Sequence, residues 1–232
     1  MCMSLACSRA AASPEAEHGV TTPGQRGTAR VVIRLRVDNF NWRAAGVPFR
    51  SVLAAALAAV NRIFHQIDVQ IAWQDRAQQP AQAGRAEYIE LQLEAAPPSR
   101  EHSGSLAYSK PFATSGIRIH VFADRIMRVA GPDLAAPLLG HVMAHEIAHV
   151  LERSNGHSAT GLMKANWEAG DYREMRSRFL GFEASDAEWI QTSLSTRPLE
   201  TTADPVIAKS EKPARGSEPV EDLRFAAVRR RR

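Results

Sequence analysis

The sequence holds only two cysteines in 232 residues, Cys2 and Cys7. The rest of the chain therefore offers no disulfide and no thiolate metal site. No apolar run approaches the roughly 20 residues needed to span a bilayer. The longest candidate, 52–60, is Ala-rich and is broken by Asn61 and Arg62. Aromatic residues make up 6%, and Trp42, Trp73, Trp167 and Trp189 follow no stripe or cage spacing, so ordinary packing is expected of them. The body also lacks an excess of one charge. The formal net charge of +4 is accounted for by residues 209–232, where eight Lys or Arg stand against four Asp or Glu. A neutral body excludes nucleic acid as its general partner, and the run Arg229 to Arg232 reads as a solvated end.

What is present is ordinary globular composition, 44% hydrophobic and 23% charged, without internal repeats. Residues 1–28 are rich in Ala, Ser, Thr, Gly and Pro and read as disordered or processed; no complete signal peptide is visible. From Thr196 onward Pro, Thr, Ser, Lys and Glu dominate, and 196–232 read as a disordered basic tail. Between them lies the expected domain, 29–195. Strands are expected from Ala29, over 69–73, 86–93 and 104–109 (an edge strand), and over 117–126. Pro48 is expected to open a helix carrying Val52, Ala56, Val60, Ile63 and Phe64 at three- and four-residue spacing. A second helix starts near Asp133 or Pro137 and runs to about Glu152, and a last one covers about 185–193. This order predicts an α/β (α+β) fold, a twisted mixed sheet backed by two helices. Arg34, Arg36 and Arg118 are expected to mark a solvated sheet face.

The chemistry concentrates in Gly140-His141-Val-Met-Ala-His145-Glu146-Ile-Ala-His149, which contains His-Glu-x-x-His on a predicted helix. A four-residue step projects His145 and His149 from one face, one turn apart, so both can share a Zn2+ ion. Glu146 lies beside them, placed to take a proton from a zinc-activated water. The flanking Val142, Met143, Ile147, Ala148, Val150 and Leu151 predict burial. Buried imidazoles and a carboxylate need partners, which a metal supplies. His157, beyond the turn-forming Ser154-Asn155-Gly156, is the leading third ligand; Glu168 is its competitor, which would give a thermolysin-like site. His141, one turn before His145, is expected to be structural or to act behind the ligands, because three ligands on one straight helix do not converge.

These residues resemble the metzincin clan of zinc metallopeptidases, whose pattern is His-Glu-x-x-His-x-x-Gly-x-x-His followed by a Met-turn. The segment His157-Ser158-Ala159-Thr160-Gly161-Leu162-Met163-Lys164-Ala165-Asn166-Trp167 is similar to one in matrixin-like bacterial predicted peptidases. The resemblance covers about 30–195. It implies a five-stranded sheet with one antiparallel edge strand, an N-terminal subdomain (29–152) and a small C-terminal subdomain with a helix (153–195). It implies one catalytic Zn2+ on His145, His149 and His157, with Met163 forming the Met-turn. It further implies endopeptidase activity on a peptide or protein substrate, by a monomer that is secreted or in the cell envelope. The substrate would lie along Gly104, Ser105, Leu106, Ala107 and Tyr108, with Leu162 and Lys164 to Trp167 walling a pocket.

Two departures stand out. The third histidine comes two residues late, and Glu152 replaces the glycine that ends the helix in the family. Either Gly156 makes the turn or the helix runs on by a residue or two. Two other classes make different predictions. A non-catalytic zinc-binding module or pseudo-peptidase would not need Glu146. An interaction protein binding through its basic tail would not need His145.

Overall fold

The computed structural model describes residues 29–37, 49–75, 87–95 and 104–196. The expectations for 1–28 and 197–232, Pro48 and Trp42 lie outside the described residues. Strand β1 (Ala29–Val37) sits between β2 (Val69–Asp75) and β3 (Glu87–Glu94), parallel to both. Strand β5 (Ile117–Phe122) adds in parallel to β3, and β4 (Ala107–Ser109) closes that side antiparallel to β5. The order β2-β1-β3-β5-β4 is thus a five-stranded mixed sheet with a single antiparallel edge strand. Its strands largely alternate apolar and polar residues, as in Ile89, Leu91 and Leu93 of β3, because two helices cover one face.

Helix α1 (Phe49–His65) presents Val52, Ala56, Ala59, Val60, Ile63 and Phe64 as a buried stripe. It packs against α2 (Ala123–Glu152), and both helices lie on the sheet. Their closest approach is at Gly140, where a Cβ would stand 2.8 Å from the Ala59 Cβ and 3.0 Å from the Ala56 carbonyl oxygen. By length and composition α2 could cross a membrane, but 89% of its most apolar window is buried inside the fold.

Gly131 (φ 65°) followed by Pro132 divides α2 into two helical segments. The second begins about where the sequence placed a helix. The first occupies residues that were expected to continue β5 to Ile126. Ala123, Ile126, Met127 and Ala130 fit a helical stripe as well as Ile117, Ile119 and Val121 fit a strand, so periodicity did not locate the boundary. The edge strand is shorter than expected: Ser105 makes only a bridge, and Gly104 turns at φ 111°.

Among the described residues after α2 there are two helices, where one was expected. Helix α4 (Ala184–Thr196) is the expected one; α3 (Ala169–Ser177) is additional. Helix α3 is short and buries only Tyr172 and Met175, so its hydrophobic signal is weak. Its capping box, Glu168 with Asp171, was the legible sign. Arg118 corrects another expectation. It is 6% exposed, with Nη2 donating to the Pro111 carbonyl (3.3 Å). Arg34 instead lies over the Tyr88 ring, and Arg36 pairs with Glu90 at 3.5 Å.

Candidate metal centre

The second half of α2 is apolar on all sides, so it runs through the core and carries His141, His145, Glu146 and His149 in with it. His145 is fully buried; Glu146 and His149 are 2% and 5% exposed. The helix continues to Glu152 and stops at Arg153, a non-glycine residue in the left-handed conformation (φ 52°, ψ 46°). The N–H groups of Arg153 and Ser154 both turn back to the His149 carbonyl. The helix thus outruns the usual end, and Arg153 rather than Gly156 makes the turn. The two-residue delay of His157 is absorbed there.

His157 comes back over the helix. Its ring centroid lies 5.4 Å from that of His145 and 4.9 Å from that of His149, and the latter two are 4.6 Å apart. One nitrogen from each of the three histidines lies within 4.8 Å of the others, the geometry of a group able to hold a metal ion. Glu168 does not join them. It caps α3 with a side chain that is 75% exposed and approaches Lys164 at 3.8 Å.

The protonation pattern follows from the hydrogen bonds. His145 Nδ1 stands 2.9 Å from the Leu162 carbonyl oxygen, and His149 Nδ1 stands 2.9 Å from that of Ser154. A carbonyl oxygen only accepts, so each Nδ1 is the donor and each Nε2 carries a lone pair. Those two Nε2 atoms face each other at 2.9 Å. Protonation does not relieve the contact near neutral pH. Burial, and then the neighbouring histidine charges, hold the His145 pKa well below the ordinary value and lower that of His149 to about 4. Two converging lone pairs in a dry site are the unsatisfied acceptors that a cation satisfies. The backbone carbonyls behind them orient the rings, as the outer partners of metal-binding histidines do.

His141 is excluded as a ligand. Its Nδ1 donates to the Pro137 carbonyl (2.7 Å), and its Nε2 accepts from the Leu180 N–H (3.0 Å). Burial lowers its pKa to about 4, so it is neutral at pH 7. Trp167, 1% exposed, meets the His145 ring edge to face at 5.6 Å and the His141 ring at 6.4 Å.

The segment after His157 folds into a tight loop. Ser158 N–H donates to the Met163 carbonyl (2.9 Å), and Ser158 bridges to Lys164. Met163 and Leu162 are buried, while Lys164 is tied to Asp171 at 2.9 Å. Gly161 takes φ 70°, with a Cβ position only 2.6 Å from the Gly181 carbonyl oxygen, so both conformation and space demand glycine. Of the proposed substrate-binding residues, Ser105, Leu106, Ala107 and Tyr108 are buried along the edge of the sheet, and Gly104 is exposed at its start.

The sequence reading missed the contribution of residues 180–186. Asp186, 7% exposed, accepts from Ser158 Oγ (2.5 Å) and from the Glu183 N–H (3.0 Å). Glu183 Oε1 accepts from both the N–H and the hydroxyl of Thr160. The only signal in the sequence was an acidic first turn. No protein-family model matches this chain, and a search of curated proteins finds no match either.

Proposed function

We propose that this chain is a zinc-dependent endopeptidase. The observation that carries the reading is the pair of histidine lone pairs converging at 2.9 Å, with a third imidazole beside them and Glu146 next in sequence to His145. Three imidazoles without a thiolate form a donor set that suits zinc with an open fourth position. Two nitrogens on a tetrahedral zinc at about 2.1 Å stand about 3.4 Å apart. The 2.9 Å contact and the 4.8 Å outer limit of the cluster bracket that value.

His145, His149 and His157 would hold the ion, which supplies Lewis acidity toward water and a peptide carbonyl. Glu146, 2% exposed, accepts the proton of the attacking water and returns it to the leaving amine. An extended peptide adds to the edge beside β4, which among the described residues pairs only with β5. Met163 floors the site as a Met-turn, in keeping with the metzincin resemblance, and Leu162 and Lys164 flank the pocket for the residue after the scissile bond.

The test combines metal content with hydrolysis of an unstructured protein substrate such as casein. The wild type is expected to bind one zinc and to cleave. Glu146→Gln is expected to keep the zinc and lose at least about 100-fold in rate. His145→Ala is expected to lose both. Zinc bound without any cleavage would leave a non-catalytic metal module and overturn the peptidase reading.

A further inference from the structure

Two hydrogen-bond paths leave the histidine cluster and end on the same stretch of chain. The first starts at His145, whose Nδ1 donates to the Leu162 carbonyl (2.9 Å). The Leu162 N–H donates to the Gly181 carbonyl (2.8 Å). One residue back, the Leu180 N–H donates to His141 Nε2, and His141 Nδ1 donates to the Pro137 carbonyl, one turn up the same helix. The circuit is closed: it leaves α2 at His145 and re-enters it at His141. The second path starts beside His157. Ser158 Oγ donates to Asp186, and Thr160 donates twice to Glu183. Residues 158, 160 and 162 are thus bonded in turn to 186, 183 and 181.

We propose that residues 180–186 form a brace that orients His145 and His157 for the metal, with His141 and Asp186 as its two positioning residues. This rests on the reading of the three histidines as metal ligands. The chemistry assigned to His141 needs an imidazole. A single neutral ring donates to the half-buried Pro137 carbonyl on one side and accepts from the buried Leu180 N–H on the other. Asp186 acts with its two oxygens divided, one on the Ser158 hydroxyl of the loop after His157 and one on the N–H of Glu183, the residue just before α4. A shift of the brace changes the direction of the Leu162 carbonyl and of the Ser158 backbone together. The effect therefore belongs to metal geometry as well as to stability.

The experiment measures the zinc dissociation constant of the full chain by chelator competition, together with the visible absorption of the cobalt(II) form. The variants are His141→Phe, which keeps a ring against Trp167 and Phe179 but makes neither bond, and the milder Ser158→Ala. Each is expected to weaken zinc binding about 10- to 100-fold and to change the cobalt band, as loss of outer partners of metal ligands does. Ser158→Thr, which keeps the hydroxyl, is expected to restore wild-type affinity. Should His141→Phe fail to fold, the Ser158 pair still decides. Variants that melt earlier without metal but hold zinc within twofold, with an unchanged cobalt spectrum, would overturn the brace and leave the ligand assignment standing. Failure of the wild type to bind zinc would overturn both.

Discussion

At the residue scale, buried titratable groups make folding depend on pH in opposite directions. His141 has an ordinary pKa of 6.5 when unfolded and about 4 when folded, because it is buried. The folded chain binds fewer protons in that interval, so the contribution of His141 is complete above pH 6.5 and is lost as pH falls toward 4. The loss is about 3 kcal/mol. Denaturant midpoints for the metal-free chain between pH 7 and 4 are expected to fall more steeply for the wild type than for His141→Phe. Glu152 behaves the other way. Burial and the nearby Asp186 raise it from 4.5 to about 8. Its contribution is complete below pH 4.5 and is lost as pH rises through 8. Glu152→Gln, neutral throughout, is expected to gain on the wild type by roughly 1–2 kcal/mol at pH 9, the figure allowing for the partial exposure of the group. Equal pH slopes for variant and wild type would contradict either account.

At the element scale, the C-terminal end of the histidine-bearing helix segment and its closest packing contact each predict a stability change. Arg153 holds the left-handed position that glycine adopts without strain. Arg153→Gly is expected to stabilise by about 1 kcal/mol, read as a raised denaturation midpoint at unchanged m-value. Gly140→Ala puts a methyl group 2.8 Å from Ala59 across the α1–α2 contact, and is expected to cost about 1–3 kcal/mol in the same assay. Sequence patterns foresaw α1, β1 and β2 closely, because each has one consistent apolar period. They misplaced the β5–α2 junction, where both periods fit, and they missed α3, whose stability comes from a capping box and two buried side chains.

At the scale of the whole molecule, a metal held at the proposed site would link binding to folding. The three histidines come from the C-terminal part of α2 and from a loop held by α4, so an ion bridging them would be bound only by the folded chain. Zinc at about 100 times its dissociation constant is expected to stabilise the protein by about 2.7 kcal/mol. Differential scanning calorimetry with zinc and with a chelator checks this. Coincident transitions would count against a zinc site in the folded state. Glu146→Gln is expected to retain the shift and His149→Ala to lose it, which separates binding from chemistry.

The sequence by itself determined the ligand helix and its apolar setting, because the His145–His149 spacing and the surrounding Val, Ile, Ala and Leu are local properties of one helix. It also held the strands, whose apolar and polar residues largely alternate. The choice of His157 over Glu168, the commitment of both His141 nitrogens and the hold of Asp186 on Ser158 were decided only by tertiary structure. The bonds from His141 to Leu180 and from Ser158 to Asp186 join residues 39 and 28 positions apart, the first through a backbone N–H that carries no residue-specific mark and the second through a serine and an aspartate that no local pattern pairs. A pattern of side chains names candidate ligands; the fold sets which of them meet and what holds their rings.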